Sequence, residues 1–195
     1  MYAAHQFHPD TVEALLNAGA NTHLLSTSGK TALLLASSVG NAEAAFALLK
    51  HGGKEDVRIA DQAGNTPLND VVSENIPELV LAYLKADADI NAKEDDGNTP
   101  LLTAVLLLNL DRDKEKVLST VKILVDNGAD LRAKNNYGHT ALTLAISAKS
   151  LEATTYLLSK EQSLQDPSVQ EDLKQGLQNP NTSPELRTYL ESFVK

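Results

Sequence analysis

The side chains best suited to moving a proton or holding a metal near neutral pH are five histidines: His5, His8, His23, His51 and His139. No pair has the H-E-x-x-H spacing that puts two imidazoles and a general base on one helix face. His5 and His8 stand three apart, but no carboxylate occupies a matching ligand position beside them. His139 follows a glycine, Gly138, and is expected to face solvent as a contact residue. Glu94-Asp95-Asp96 is an acidic run before Gly97, with Asp87 and Asp89 close by. Without the spacing of a calcium loop, that run reads as a hydrated turn. The chain has no cysteine, which excludes disulfides, thiolate nucleophiles and Cys-based zinc sites. No G-x-x-x-x-G-K-[ST], G-x-G-x-x-G or G-x-S-x-G motif occurs. The expectation is a protein without catalytic residues, cofactor or metal: not an enzyme.

The elements that carry these residues are set by composition and period. The 195 residues suffice for one sizeable domain. Aromatics are only 4% and Trp is absent, so Ala, Leu, Val and Ile must fill the core. Such side chains suit closely stacked helices better than an aromatic-lined ligand pocket. A formal net charge of -9 and a pI near 5.0 repel phosphate backbones, so nucleic acid is not an expected partner. No apolar run reaches the ~20 residues of a membrane span, and no signal-peptide pattern is visible. The compartment stays open: the cytoplasm and a secreted mature form both fit.

Four segments repeat. They are Gly29-Lys30-Thr31-Ala32-Leu33, Gly64-Asn65-Thr66-Pro67-Leu68, Gly97-Asn98-Thr99-Pro100-Leu101 and Gly138-His139-Thr140-Ala141-Leu142. Their threonines are spaced 35, 33 and 41 apart. Between them recur Leu15-Leu16-Asn17-Ala18-Gly19, Leu48-Leu49-Lys50-His51-Gly52 with two extra residues after it, Tyr83-Leu84 with Asp87, and Leu124-Val125-Asp126-Asn127-Gly128. Each motif has a physical reading. The first Gly serves a tight turn at positive φ. Thr is an N-cap, and Pro67 and Pro100 fall at the first helical position. Ala36, Val71, Ala104 and Ala145 keep the first helix slim for close stacking. Gly19, Gly52 and Gly128 are left-handed C-caps, a slot that Asp87 takes in one repeat.

This register, with a period of about 33, resembles the ankyrin repeat family over residues 1 to about 160. The resemblance implies an all-α solenoid of helix-turn-helix repeats joined by short β-hairpin loops. The repeats run roughly 1–25 (partial), 26–60, 61–93, 94–134 and 135–161, with a C-terminal helical cap over 162–195, as one domain. The histidine of the family's T-P-L-H motif is missing, with Leu34, Asn69, Leu102 and Thr143 in its place. Apolar packing is therefore expected to do more of the joining between repeats. The spacing of 41 implies eight extra residues around Asn109–Lys116, lengthening the link between two helices as either a tolerated insertion or a specificity loop.

The two ends carry their own expectations. Met1-Tyr2-Ala3-Ala4 aligns with Leu34-Leu35-Ala36-Ser37, so the chain starts inside the first helix of a repeat. It is read either as a piece of something longer or as an abbreviated cap. Pro167–Gln178 carries Val169, Leu173 and Leu177 on one face, and Ser183-Pro184 opens a helix with Leu186, Tyr189, Leu190 and Phe193 at i, i+3, i+4 and i+7.

Stacked repeats present a concave surface. By the resemblance it is lined by hairpin tips and the exposed face of each first helix. The contact positions that carry over include Tyr2, His5, Lys30, Asn65, Glu74, Asp95, Asp96, Asn98, Asn136, Tyr137 and His139. Tyr137, at a tip, is the expected anchor, since interface hot spots favour aromatic side chains. The function implied is recognition of a protein partner by a monomeric chain, with a basic patch on the partner favoured by the acidity here. The alternative is a structural or regulatory arm that positions a neighbouring domain.

Overall fold

The threonine and proline signals place the helices where the period requires them. The computed structural model describes residues 1–110, 112–162 and 164–194. Among these the order is α1 (Tyr2–His5), α2 (Pro9–Asn17), α3 (Ala32–Ser37), α4 (Ala42–Lys50), a 3-10 turn (Glu55–Arg58), α5 (Pro67–Ser73) and α6 (Pro77–Lys85). Then come α7 (Pro100–Leu106), a 3-10 turn (Leu107–Asn109), α8 (Lys114–Asp126), α9 (Ala141–Ser147), α10 (Leu151–Lys160), α11 (Pro167–Gln178) and α12 (Pro184–Glu191). No strand occurs among the described residues: the hairpin loops are tight turns without a β-ladder. The chain divides into two compact units, Met1–Asp95 and Asp96–Lys195.

Local chemistry explains the helix boundaries. Thr31, Thr66, Thr99 and Thr140 each accept the backbone N–H of the third helical residue. Pro67 and Pro100 occupy the first turn, where a missing N–H costs nothing. Gly19, Gly52, Asp87 and Gly128 end the second helices at positive φ. The amide one residue on from each, from Ala20, Gly53, Ala88 and Ala129, closes back on the helix. The core of the first unit is Leu33, Leu34, Leu68, Leu79 and Val80, packed through Ala36, Ala44 and Val71.

Polar joints link the repeats as well, beside the buried Leu34 and Leu102 that stand at two of the positions lacking the histidine. In the first unit Tyr83 is fully buried, and its hydroxyl meets Ser37 Oγ at 2.7 Å. Asn41 Nδ2 donates to the Ala4 carbonyl, and Asn69 Nδ2 to the Ala92 carbonyl. In the second unit Thr140 Oγ1 donates to the buried carboxylate of Asp172 at 2.6 Å.

The eight extra residues go only partly into the connection. They supply the 3-10 turn Leu107–Asn109 and lengthen α8 to 13 residues, against 9 or 10 in the other second helices. Asp111, within this stretch, lies outside the described residues. The cap forms as its sequence requires. Val169, Leu173, Leu186 and Leu190 close over Leu142, Ile146 and Leu158 of the last repeat. Gly176 allows this approach, because a Cβ there would stand 2.8 Å from Ile146 Cδ1. Ser163 and Lys195 of the cap range lie outside the described residues.

Candidate functional site

In the first unit the tips are built alike. Ser26 and Asp61 each accept and donate across their own turn, Ser26 N–H to the Lys30 carbonyl and Asp61 N–H to the Asn65 carbonyl. Asp61 Oδ1 also accepts the amides of Ala63 and Asn65 at 2.9 and 3.0 Å. Lys30 Nζ reaches across to Asp61 Oδ2 at 3.2 Å. Lys30 and Asn65 are therefore half-buried and engaged within and between tips. Glu74 and Asp95 are exposed. Tyr2 is 78% exposed on α1, and His5, also exposed, shares a hydrogen bond with Gln6.

Beside these lies a residue the sequence reading passed over. Asp70 sits on α5 four residues after Thr66, in the register of Leu35, Thr103 and Leu144. Burial lifts its carboxyl to about 7. Lys30 opposes the rise, and the negative groups Asp61, Glu94 and Glu74 add to it. Its Oδ2 is buried and makes no hydrogen bond. A carboxylate where the aligned positions carry Leu or Thr was the available signal.

In the second unit the tips are bound to each other. Asn136 N–H donates to the Asp96 carbonyl at 3.0 Å, and Asn135 Nδ2 to Asn98 Oδ1 at 2.9 Å. Asn98 in turn donates to Asp96 from its amide and its side chain. Asn98 is thus buried and used inside the structure, which removes it from the set of exposed contact positions. Gly97 is locked in the same joint: its φ is +79°, and a Cβ would lie 2.5 Å from Asn136 Oδ1. Asn136 and His139 are exposed, and Tyr137 is 75% exposed. Asn135, missed in the sequence, braces this tip by accepting the amides of Tyr137 and His139.

Among the described residues no group of His, Cys, Asp and Glu has a metal-binding arrangement, and no helix is long and apolar enough to cross a membrane. The family described as ankyrin repeats (3 copies) matches residues 1–94 and 71–169. The chain belongs to the ankyrin repeat family. Its relatives include neurogenic locus notch homolog protein 1 of Homo sapiens, 30% identical over 152 residues, which are 77% of this chain and 6% of that protein. B-cell lymphoma 3 protein homolog of Mus musculus is 32% identical over 137 residues, 69% of this chain and 29% of that protein. The chain therefore spans well under two thirds of these relatives. Ankyrin repeats generally mediate protein–protein interactions, and the repeat family is a non-catalytic module.

Proposed function

We propose that this ankyrin repeat protein recognises a basic segment of another protein, using its hairpin tips and the exposed side of its first helices. Asp70 is the observation that carries the reading. It is a mostly buried carboxyl near Asp61, Glu74 and Glu94, with Lys30 the cation acting on it. An incoming lysine or arginine beside this acidic group would relieve that imbalance. Glu74 and Asp95 supply exposed charge on the first unit, and the second unit offers an exposed aromatic of its own, Tyr137.

The test is selection of peptides from a random library on the immobilised chain. Lys- and Arg-containing peptides are the expected winners. Their affinity should fall steeply with salt, as screened charge pairs do. Glu74→Lys with Asp95→Lys should abolish the enrichment, and Tyr137→Ala should weaken it about tenfold. Enrichment of peptides without basic residues would overturn the reading.

A second reading is an arm inside a longer polypeptide. It is favoured by the small share of the relatives that this chain covers. An antibody against the chain, used on extracts of its source, decides it. A band far above 20.9 kDa supports an arm, and a band at that mass opposes it.

A further inference from the structure

The segment after each second helix recurs four times in one register: Asn21-Thr22-His23, Asp56-Val57-Arg58, Asp89-Ile90-Asn91 and Asp130-Leu131-Arg132. In three of them the first side chain accepts the backbone N–H two residues on, Asn21 from His23, Asp89 from Asn91 and Asp130 from Arg132. Asp56 departs from this pattern. The two extra residues Lys54 and Glu55 precede it, and Glu55–Arg58 winds into a 3-10 turn. Gly53 seats that turn against the end of α4, where a Cβ would stand 2.9 Å from the Leu48 carbonyl oxygen. Asp56 is thereby turned inward, its side chain 1% exposed. Its Oδ1 meets His23 Nδ1 at 2.7 Å, and its Oδ2 has no partner. A buried carboxylate with one hydrogen bond depends heavily on that bond.

The third position of the register makes the same kind of link in two other places. Arg58 donates to the backbone carbonyl and the carboxylate of Asp87, past the end of α6. Arg132 donates to Asp166 at 2.6 Å and Glu161 at 3.3 Å, past the end of α10. Each link ties one repeat to the element that follows the next second helix. A guanidinium stays charged throughout the working pH range, whereas an imidazole does not. His23 is 47% exposed, so solvent protons reach it. The charges that act on it are those of Asp56 and Glu55. α3, packed on the 3-10 turn, carries no ionisable side chain, α4 carries Glu43 and Lys50, and α5 carries Asp70.

We propose that the His23–Asp56 contact is a proton-operated clasp between the first two repeats, closed by the imidazolium and slackened when the ring becomes neutral. The hydrogen bond from His23 to Asp56, together with the carboxylate's charge, raises the histidine above its ordinary value. Its contribution is therefore fully present below the unfolded-state value. It is lost as pH rises through the raised one. The arginine links do not respond over that range.

The experiment is an NMR titration of the full chain from pH 5 to 9. It follows the His23 ring and the exchange of the amides of residues 54–58, corrected for intrinsic rate. In the wild type the His23 midpoint should lie above 6.5, and these amides should exchange several-fold faster at pH 8.5 than at pH 5.5. Asp56→Asn should bring the midpoint down. His23→Arg, which rebuilds the clasp in the form of the other two links, should keep the amides protected and remove the dependence on pH. His23→Gln should leave them unprotected at both values. A midpoint unmoved by Asp56→Asn would overturn the proposal. If Asp56→Asn fails to fold, the arginine variant decides it: the same pH dependence in His23→Arg and wild type overturns the clasp.

Discussion

The two units differ in how each treats its apolar edge and its tips. In the second unit α11 and α12 bury Leu142, Ile146 and Leu158 beneath Val169, Leu173, Leu186 and Leu190. In the first unit α1 is a single turn, and Tyr2, Phe7, Leu15, Leu24 and Leu25 are exposed. The tips of the second unit are cross-linked through amides, from Asn135 to Asn98 and from Asn136 to Asp96. Those of the first meet through the ion pair of Lys30 and Asp61, beside the half-buried Asp70. The tip joint of the second unit is thus made of amide hydrogen bonds, and that of the first of an ion pair, which pH and salt can reach.

The largest expected effect tests the edges. Leu173→Ala removes a fully buried side chain from under the cap and should cost about 2–5 kcal/mol in chemical denaturation. Leu15→Ala alters a half-exposed position on α2 and should change stability by no more than about 0.5 kcal/mol. Equal losses would mean that the exposed edge of the first unit is packed in solution. Next is the tip joint. Gly97→Ala puts a methyl group 2.5 Å from Asn136 Oδ1 on a backbone with φ of +79°. It should cost roughly 2–3 kcal/mol. Gly29→Ala has the same strained φ but open space around it, so its loss should be roughly 1 kcal/mol. The difference between the two isolates the contact between tips.

Most of the fold was legible because its signals are local. The Thr caps, the prolines at helix starts and the left-handed glycines act within a few residues, and each formed as its type requires. The cap helix Pro167–Gln178 and the Ser183 cap of α12 likewise follow from turn chemistry and period. The site was less legible because it depends on what lies across a repeat. Asn98 looked like a contact residue from its place in the tip, but Asn135, 37 positions away, buries and bonds it. Asp70 was passed over, because its environment is set by burial and by Lys30, Asp61 and Glu94 on other elements. The inserted segment hid its destination too. Lys114 to Asp126 can continue as helix, so part of the added length became an extra turn of α8 rather than loop.

The last expected effect addresses charge in the first unit. In the unfolded chain Asp70 titrates near 3.8, and in the folded protein at about 7. Between those values the folded state holds a proton that the unfolded state has released. Stability from this group therefore declines as pH rises from about 4 to about 7, and it is flat above. Solvent reaches part of the side chain and relaxes the penalty, so the decline should be on the order of 1–2 kcal/mol rather than the full linkage value. Asp70→Asn keeps the shape and removes the charge. It should match wild type near pH 4 and exceed it by about that amount at pH 8, read from urea denaturation at both values. In the same variant a basic peptide should bind more weakly at pH 8, because the charge that cost stability is the one that attracts the ligand. Greater stability together with undiminished binding would separate the two roles and leave Glu74 and Asp95 as the recognition charges of the first unit.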